Sequence, residues 1–221
     1  MKICVFGRYR ATDGTEIVDK TTKGAYYATI KIKKAIKGET INGFSDIRVG
    51  SQSVRLDANS RDRFLKALWT EIANDLCSHW NREVALVPIP GSTVVDPDQS
   101  DFRNAEYAEA IAAASNGMIK VSRALHWDSV QEKQRADSGP RRMEARLRHM
   151  IAKRMPKLPV LLFDDVMTSG STLQAAEALL MSKNVAVLGA VVVLKADSVN
   201  EPRLGFEVID PADDFFNWPT S

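Results

Sequence analysis

Cysteine and histidine are scarce in this sequence, and their scarcity excludes several kinds of site. The chain of 221 residues contains two cysteines, Cys4 and Cys77, which are too few for a four-cysteine zinc site and provide no disulfide framework. The three histidines, His79, His126 and His149, lie on separate segments without metal-ligand spacing, so each is interpreted as structural or solvated. A reducing cytoplasm fits this composition best.

Long hydrophobic runs and an excess of one charge are also missing. No apolar run approaches the ~20 residues needed to span a bilayer, and the amino terminus lacks the basic-then-apolar order of a signal peptide. The net charge of +2 gives no global argument for nucleic-acid binding. The motifs G-x-x-x-x-G-K-[ST] and G-x-G-x-x-G after a strand are absent, which removes the main support for triphosphate or dinucleotide binding. We therefore expect a cytoplasmic protein without a membrane partner.

The most informative segment is VLLFDDVMTSGST, residues 160–172. Its first four residues form an unbroken apolar run, which predicts a strand buried on both faces. That strand would deliver Asp164 and Asp165 to the carboxyl edge of the sheet, where ligands bind in open α/β folds. The following loop leads into a helical pattern and is predicted to provide a Ser or Thr N-cap. The loop consists of Thr168, Ser169, Gly170, Ser171 and Thr172.

This loop has the chemistry of an anion cradle. Backbone N–H groups, the positive end of the helix dipole and several hydroxyls favour a phosphate, and Gly170 lets the chain approach it closely. The carboxylates of Asp164 and Asp165 can accept hydrogen bonds from the vicinal hydroxyls of a ribose, and one of them can reach a magnesium ion through water. The alternative is a capped helix after a buried strand, with both acids solvated at a turn.

The apolar run, paired acids, spacer and T-S-G-S-T loop resemble the ribose-phosphate binding signature of type I phosphoribosyltransferases. The resemblance implies that the protein binds phosphoribosyl pyrophosphate with Mg²⁺ and transfers the phosphoribosyl group to or from a nitrogenous base. It implies a pentosyl glycosyltransferase of nucleotide metabolism, with Asp164 and Asp165 as the catalytic and metal-binding residues. Nothing in the sequence specifies the base, and a homodimer stays open.

A second apolar run, Val84–Pro90, predicts another buried strand that ends in a small-residue loop at 91–93. In type I phosphoribosyltransferases a loop in this position holds the pyrophosphate. The alternative is an ordinary strand-to-loop turn. The resemblance makes three residues here candidates for substrate binding: Pro90, Gly91 and Ser92.

The same strand, followed by a helix predicted at Asp101–Ala112 with an acidic cap, is similar to ComF-type phosphoribosyltransferases. Those proteins are associated with DNA uptake in bacteria. The cysteine content departs from that group, because many of its members carry an amino-terminal zinc ribbon. Two further functions therefore stay open beside the enzyme: a non-catalytic sensor of phosphoribosyl pyrophosphate, and a nucleic-acid uptake accessory.

Residues 123–157 form the most basic part of the chain. The stretch Asp128–Pro140 has no apolar periodicity and is predicted to be a mobile loop. In the resembling family a flexible loop here folds over the substrate and offsets charge on the departing pyrophosphate. This implies substrate binding by Lys133 and Arg135, with ordinary solvated charges as the alternative. Residues 141–155 favour an amphipathic helix whose arginines serve solubility.

The pattern along the whole chain predicts a doubly wound, mostly parallel α/β sheet flanked by helices. Strands are predicted at Ile3–Tyr9, Tyr27–Ile32, Met118–Leu125, Val185–Leu194 and, at an edge, Phe206–Ile209, with a long helix at Arg61–Trp80. We expect one domain over residues 1–221. Its parts would be an amino-terminal extension with the first helix (1–82), a core with the binding loops (83–200) and a tail (201–221).

Overall fold

The computed structural model describes residues 1–10, 20–131, 140–197 and 203–209 of the chain. The strands are β1 (Lys2–Arg10), β2 (Ser45–Val49), β3 (Gln52–Leu56), β4 (Val84–Pro88), β5 (Ile119–Val121), β6 (Leu125–Trp127), β7 (Met150–Ala152), β8 (Val160–Met167), β9 (Val187–Asp197) and β10 (Arg203–Ile209). The helices are α1 (Lys20–Lys37), α2 (Arg61–Trp80), α3 (Arg103–Ala113), α4 (Pro140–His149) and α5 (Ser171–Ser182). No helix in these ranges has both the length and the apolar character needed to cross a membrane.

Six strands form the central sheet, in the order β10-β1-β9-β8-β4-β5. Neighbouring strands run parallel except at one edge, where β10 pairs antiparallel with β1. All of β4 and the first four residues of β8 are buried, as expected of parallel strands covered on both faces. The predicted fold class, a mostly parallel α/β sheet flanked by helices, is confirmed. The strand predicted at Ile3–Tyr9 lies within β1, inside this sheet.

Two apolar clusters hold the layers together, one on each face of the sheet. On one face α1, α2, α3 and the β2–β3 hairpin pack on the strands, with Ile32, Phe64 and Ile111 fully buried. On the other face α5 packs with α4 and the two short strands β6 and β7, which bury Leu173 and Trp127. The central strands are thus closely packed on both faces, and the loops at their carboxyl ends begin from this packed core.

The strand predicted at Tyr27–Ile32 is wrong, because these residues lie within α1. Six residues are too few to separate a period of two from a helical period. Over a longer window the buried positions are Ala28, Ile32, Ala35 and Ile36, which is the spacing of one helix face. The correction matters because it places the carboxyl end of α1 beside the sheet edge.

Three other boundaries differ from the prediction. The helix expected to start with an acidic cap begins at Arg103, and its N-cap residue Phe102 makes no side-chain capping bond. The single strand expected at Met118–Leu125 is divided into β5, at the sheet edge, and β6, outside the sheet. The helix expected at 141–155 ends at His149, where β7 pairs with β6 instead. The edge strand β10 and the long helix α2 occur as predicted.

Candidate functional site

The carboxyl end of β8 brings the acid pair to the edge of the sheet. Pairing of β8 with β4 ends at Phe163, whereas pairing with β9 continues to Met167. Asp164 and Asp165 therefore lie inside the strand rather than after it, at the point where β8 has lost one neighbour. Asp164 is half-buried and Asp165 is 5% exposed. Two carboxyl groups this close to an apolar core need hydrogen-bond partners to be stable there.

A cavity of about 790 Å³ opens at this edge. Six parts of the chain contribute its walls: the end of α1, the segment after β4, the start of α3, β6, α4, and the end of β8 with the start of α5. The lining comprises Lys33, Lys37, Glu39, Ile89, Pro90, Gly91, Ser92, Thr93, Val94, Asp101, Arg103, Asn104, Trp127, Arg146, Asp164, Asp165, Val166, Thr168 and Thr172. Most of the predicted site residues, taken from two distant segments of the sequence, thus meet in one space.

Asn104 of α3 forms a hydrogen-bonded bridge between Asp164 of β8 and the segment after β4. The Asp164 Oδ1 accepts from Asn104 Nδ2 at 3.2 Å and from the Asp165 backbone N–H at 2.9 Å. Asn104 also donates to the Ile89 carbonyl at 3.0 Å. Burial raises the pKa of the Asp164 carboxyl, the neighbouring Asp165 charge raises it further, and the Lys37 cation partly offsets both. Asp164 therefore keeps its proton to a higher pH than an exposed carboxyl does.

Asp165 forms a two-oxygen ion pair with Lys37, the last residue of α1. The Lys37 Nζ lies 2.9 Å from Oδ1 and 2.7 Å from Oδ2. The Tyr107 hydroxyl fixes this end of the helix by donating to the Ile36 carbonyl at 2.6 Å. Burial raises the pKa of Tyr107 to about 12, so it stays a donor at neutral pH. Sequence reasoning missed Lys37, because the incorrect strand at Tyr27–Ile32 hid the helix that delivers it.

The loop 168–172 differs from the prediction at its cap. The N-cap of α5 is Gly170 with φ +69°, and no side chain caps the first turn. A position with a left-handed backbone conformation favours glycine over Ser or Thr. The hydroxyl oxygens of Ser169 and Ser171 lie 3.1 Å apart and pair with each other. Thr168 and Thr172 line the cavity, whereas the three residues between them lie outside its described lining.

The segment after β4, loop 90–94, is held by residues far along the chain. Trp127 Nε1 donates to the Gly91 carbonyl at 2.9 Å and to the Pro90 carbonyl at 3.3 Å. The Trp127 backbone N–H donates to the Val94 carbonyl at 2.9 Å. Gln131 N–H donates to the Ser92 carbonyl at 2.7 Å. These bonds occupy the loop's carbonyl oxygens. The Val94 N–H is also used, in a bond to the Gly91 carbonyl at 3.0 Å, so that the N–H groups of Ser92 and Thr93 are left for a ligand.

Those N–H groups have the chemistry that an anion requires. In the described part of the chain, no group accepts a hydrogen bond from the Ser92 or Thr93 backbone N–H. Adjacent unpaired backbone donors in a small-residue loop form a concave site for an anion. This geometry agrees with the predicted pyrophosphate role of Pro90, Gly91 and Ser92, which stays a prediction.

Arg146 is a second residue that sequence reasoning missed. The sequence favours a solvated helix face for the arginines of residues 141–155, and Arg148 is exposed. Arg146 is half-buried, lines the cavity, and its guanidinium carbon lies 5.4 Å from the centre of the Trp127 ring. The sequence could not single out Arg146, because α4 contains several similar arginines. Arg146 lines the cavity only because α4 packs on α5. Lys133 and Arg135 lie outside the described residues.

The donor set fits a magnesium ion that is shared with a ligand. Within the described ranges, no group of three or more His, Cys, Asp or Glu side chains could hold a metal ion by itself. Magnesium is usually bound through one or two carboxylates together with water and substrate phosphates. Of the acid pair, Asp165 is already engaged by Lys37, which leaves Asp164 as the more available carboxyl ligand once it has lost its proton.

Comparisons with known proteins show similarity at the level of solved structures. No protein-family model matches the chain, and no curated protein matches it. A hypoxanthine phosphoribosyltransferase from Staphylococcus aureus is 12% identical, with 60% of this chain and 62% of that chain covered and a TM-score of 0.37. An orotate phosphoribosyltransferase from Aeropyrum pernix is 16% identical over 76% and 83% of the two chains, with a TM-score of 0.38.

A third structure, an adenine phosphoribosyltransferase, is 11% identical over 76% of this chain and 90% of that chain, with a TM-score of 0.38. The present chain thus spans less than two thirds of the hypoxanthine enzyme. All three of these proteins are phosphoribosyltransferases, and none of them supports the ComF-type resemblance. Because these TM-scores are low, the function of this chain has to be inferred from its own residues.

Proposed function

We propose that this protein binds phosphoribosyl pyrophosphate together with Mg²⁺ and transfers the phosphoribosyl group to or from a nitrogenous base. The observation that carries the proposal is the convergence of the acid pair, loop 168–172 and loop 90–94 on one cavity of about 790 Å³. Such a ligand needs donors for a phosphate, acceptors for a diol and donors for a diphosphate. Groups of all three kinds lie around this cavity.

The start of α5 suits the 5-phosphate. Its first turn has no side-chain cap, so backbone N–H groups and the positive end of the helix dipole are available to an anion. The hydroxyls of Thr168 and Thr172 border the cavity beside it. Gly170 holds the chain in a left-handed turn there, which keeps a Cβ away from the phosphate.

The acid pair suits the ribose. A carboxylate oxygen accepts more than one hydrogen bond, so Asp165 has the acceptors for sugar hydroxyls, for which Lys37 competes. Asp164 lies directly beside it on β8 and is fixed by Asn104. When magnesium is bound, it neutralises charge on the diphosphate, and Asp164 is the carboxyl group that fits as its protein ligand.

Loop 90–94 suits the pyrophosphate. The N–H groups of Ser92 and Thr93 provide neutral donors, while Arg146 and Lys37 place positive charge on the walls of the same cavity. Loss of pyrophosphate leaves an oxocarbenium-like sugar, and the work of the protein is to position the reactants and stabilise the charges that separate. On the sequence resemblance, we include Lys133 and Arg135 in this proposal as groups that bind the leaving pyrophosphate.

The deciding experiment is isothermal titration of the protein with phosphoribosyl pyrophosphate and Mg²⁺. It is followed by an assay for pyrophosphate release with a panel of bases that includes adenine, hypoxanthine and orotate. Binding with turnover on one base supports the enzyme, and binding without turnover on any base supports the sensor. Single-stranded DNA serves as the control ligand. Steeply salt-dependent DNA binding without binding of phosphoribosyl pyrophosphate would contradict the proposal and favour the nucleic-acid accessory.

A further inference from the structure

Lys37 occupies the position that the proposed ligand needs. Its Nζ contacts both carboxylate oxygens of Asp165, at 2.9 and 2.7 Å. An ammonium group centred on a carboxylate forms a charge-assisted pair that competes with incoming sugar hydroxyls for the same lone pairs. A ribose can therefore bind Asp165 fully only if Lys37 moves away or shares the site.

Of the two partners, Lys37 is the one that can move. The Asp165 side chain is 7% exposed and fixed within β8, whereas the Lys37 side chain is 32% exposed. The ammonium is carried on a flexible four-carbon stem with three rotatable donors. Lys37 lines the same cavity as Ser92 and Arg146, so a change of side-chain rotamer can turn its ammonium group towards them without any backbone change.

We infer that Lys37 selects ligands that carry a diphosphate over those that carry only the 5-phosphate. This inference rests on the proposed function. When phosphoribosyl pyrophosphate binds, the ribose diol takes the oxygens of Asp165, and the Lys37 Nζ exchanges its partner for the oxygens of the diphosphate. Ribose 5-phosphate provides no second anion in that position. Displacing Lys37 for ribose 5-phosphate would then leave the ammonium without a counter-charge, which makes binding weaker.

Lys33 offers a matched control on the same wall. It lines the cavity one helical turn before Lys37, and its Nζ lies 4.9 Å from the centre of the Tyr9 ring. Replacing Lys33 removes a positive charge from the cavity but leaves the Asp165 ion pair intact. A general loss of positive potential is thereby separated from the loss of the exchanging group.

The experiment measures the dissociation constants of phosphoribosyl pyrophosphate with Mg²⁺ and of ribose 5-phosphate for the wild type, Lys37→Met and Lys33→Met. We expect Lys37→Met to weaken phosphoribosyl pyrophosphate by about tenfold to a hundredfold. Ribose 5-phosphate should be unchanged or tighter, because its competitor is gone. Lys33→Met should leave the ratio of the two constants as in the wild type.

Lys37→Arg keeps the charge and the ion pair, and it should keep the preference for the diphosphate even if Lys37→Met is poorly folded. An unchanged ratio of the two dissociation constants in Lys37→Met would overturn the inference. If both ligands weakened equally, Lys37 would only orient Asp165. A wild type that binds neither ligand would refute the proposed function itself, before any variant is compared.

Discussion

Loop 168–172 and loop 90–94 each follow a buried strand of the same sheet, yet they are held in opposite ways. Loop 168–172 is shaped by its own residues: Gly170 in a left-handed conformation and a hydroxyl pair between Ser169 and Ser171. Loop 90–94 has one internal bond, from the Val94 N–H to the Gly91 carbonyl, and is otherwise held from outside, by donors from Trp127 and Gln131. The first loop is therefore a local structure, and the second depends on tertiary packing.

This difference teaches where each loop can be broken. A local loop fails when one of its own backbone conformations is changed. A loop fixed by distant donors fails when the donor is removed, even though its own sequence is intact. The two loops also border different parts of the proposed ligand. Damage to each should consequently affect different ligands, and a set of substitutions can separate them.

The largest effect is expected from Gly170→Val in loop 168–172. A β-branched residue strongly disfavours φ near +69°, so the substitution would distort the turn that presents the first N–H groups of α5, where the phosphate is proposed to bind. We expect binding of both ribose 5-phosphate and phosphoribosyl pyrophosphate to fall by more than about a hundredfold in titration, since the α5 phosphate site serves both ligands. Ser169→Ala removes one hydroxyl and should have a much smaller effect.

Gly43→Val is the matched control for backbone strain. Gly43 has φ +65°, and a Cβ added there meets no atom within 4 Å. It lies outside the cavity lining, so the substitution carries similar strain without touching the proposed site. If Gly43→Val weakened binding as much as Gly170→Val, the effect would reflect general destabilisation rather than loss of a phosphate cradle.

A second prediction concerns Asp165, which lies between the two loops. Asp165→Asn removes a charged acceptor from the proposed ribose site, and losing a charge-assisted hydrogen bond costs about 1.5–3 kcal/mol. We expect both ligands to weaken by about tenfold to a hundredfold. Titration with each ligand checks this, and circular dichroism confirms that the fold is retained. Unchanged affinity for both ligands would contradict a role of Asp165 in ribose binding.

The local features of the site could be predicted from the sequence, and this follows from their physics. Val160–Phe163 and the following acids are contiguous, so the apolar run and the change to charge were visible without any tertiary contact. The fold class was accessible for the same reason, because several buried strands are continuous apolar runs. The glycine cap was missed because the prediction weighed hydroxyl side chains and not the φ value that the turn requires.

The residues that complete the site could not be predicted in the same way. Lys37, Trp127 and Arg146 reach the cavity from three elements whose mutual positions are set by packing. In the sequence each of them has many equivalents, since charged residues on helices usually serve solubility and buried tryptophans usually fill a core. Only the fold distinguishes Arg146 from its exposed neighbour Arg148.

A third prediction sharpens the comparison from the side of loop 90–94. Trp127→Phe keeps an aromatic ring in the core but removes Nε1–H. Among the described residues the Pro90 carbonyl then has no donor, whereas the Gly91 carbonyl keeps the Val94 N–H at 3.0 Å. An unsatisfied buried acceptor costs about 1–3 kcal/mol. We expect phosphoribosyl pyrophosphate to weaken by about fivefold to a hundredfold, while ribose 5-phosphate changes little because it does not reach this loop.

Trp80→Phe is the control for that experiment, because Trp80 lies on α2 and outside the cavity lining. It should leave the affinity for both ligands unchanged. If Trp127→Phe weakened the two ligands equally, loop 90–94 would not be specific for the pyrophosphate, and the functional difference between the two loops would disappear.

The smallest expected effect tests the bridge that joins the two loops. Asn104 donates both to Ile89, directly before loop 90–94, and to Asp164, shortly before loop 168–172. The pKa of the Asp164 carboxyl is raised, chiefly by burial. A carboxyl with a raised pKa binds its proton more tightly in the folded chain than in the unfolded chain. The stability that it contributes is thus complete below its ordinary pKa and is lost as the pH rises through the raised value.

Asp164→Asn should remove this loss, because asparagine does not titrate and its Oδ1 can still accept from Asn104. We expect the melting temperature of the variant to exceed that of the wild type by a few degrees, where about 1 kcal/mol corresponds to about 2–4 °C for a chain of this size. The difference should grow as the pH is raised from about 5 to about 9.

Asp98→Asn provides a control of opposite sign, since Arg154 lowers the pKa of the exposed Asp98. That variant should be slightly less stable than the wild type over the same pH range. A melting temperature for Asp164→Asn that stays below the wild type at every pH would mean that the bridge depends on the ionised carboxylate, and that the two loops are joined by charge rather than by a neutral hydrogen bond.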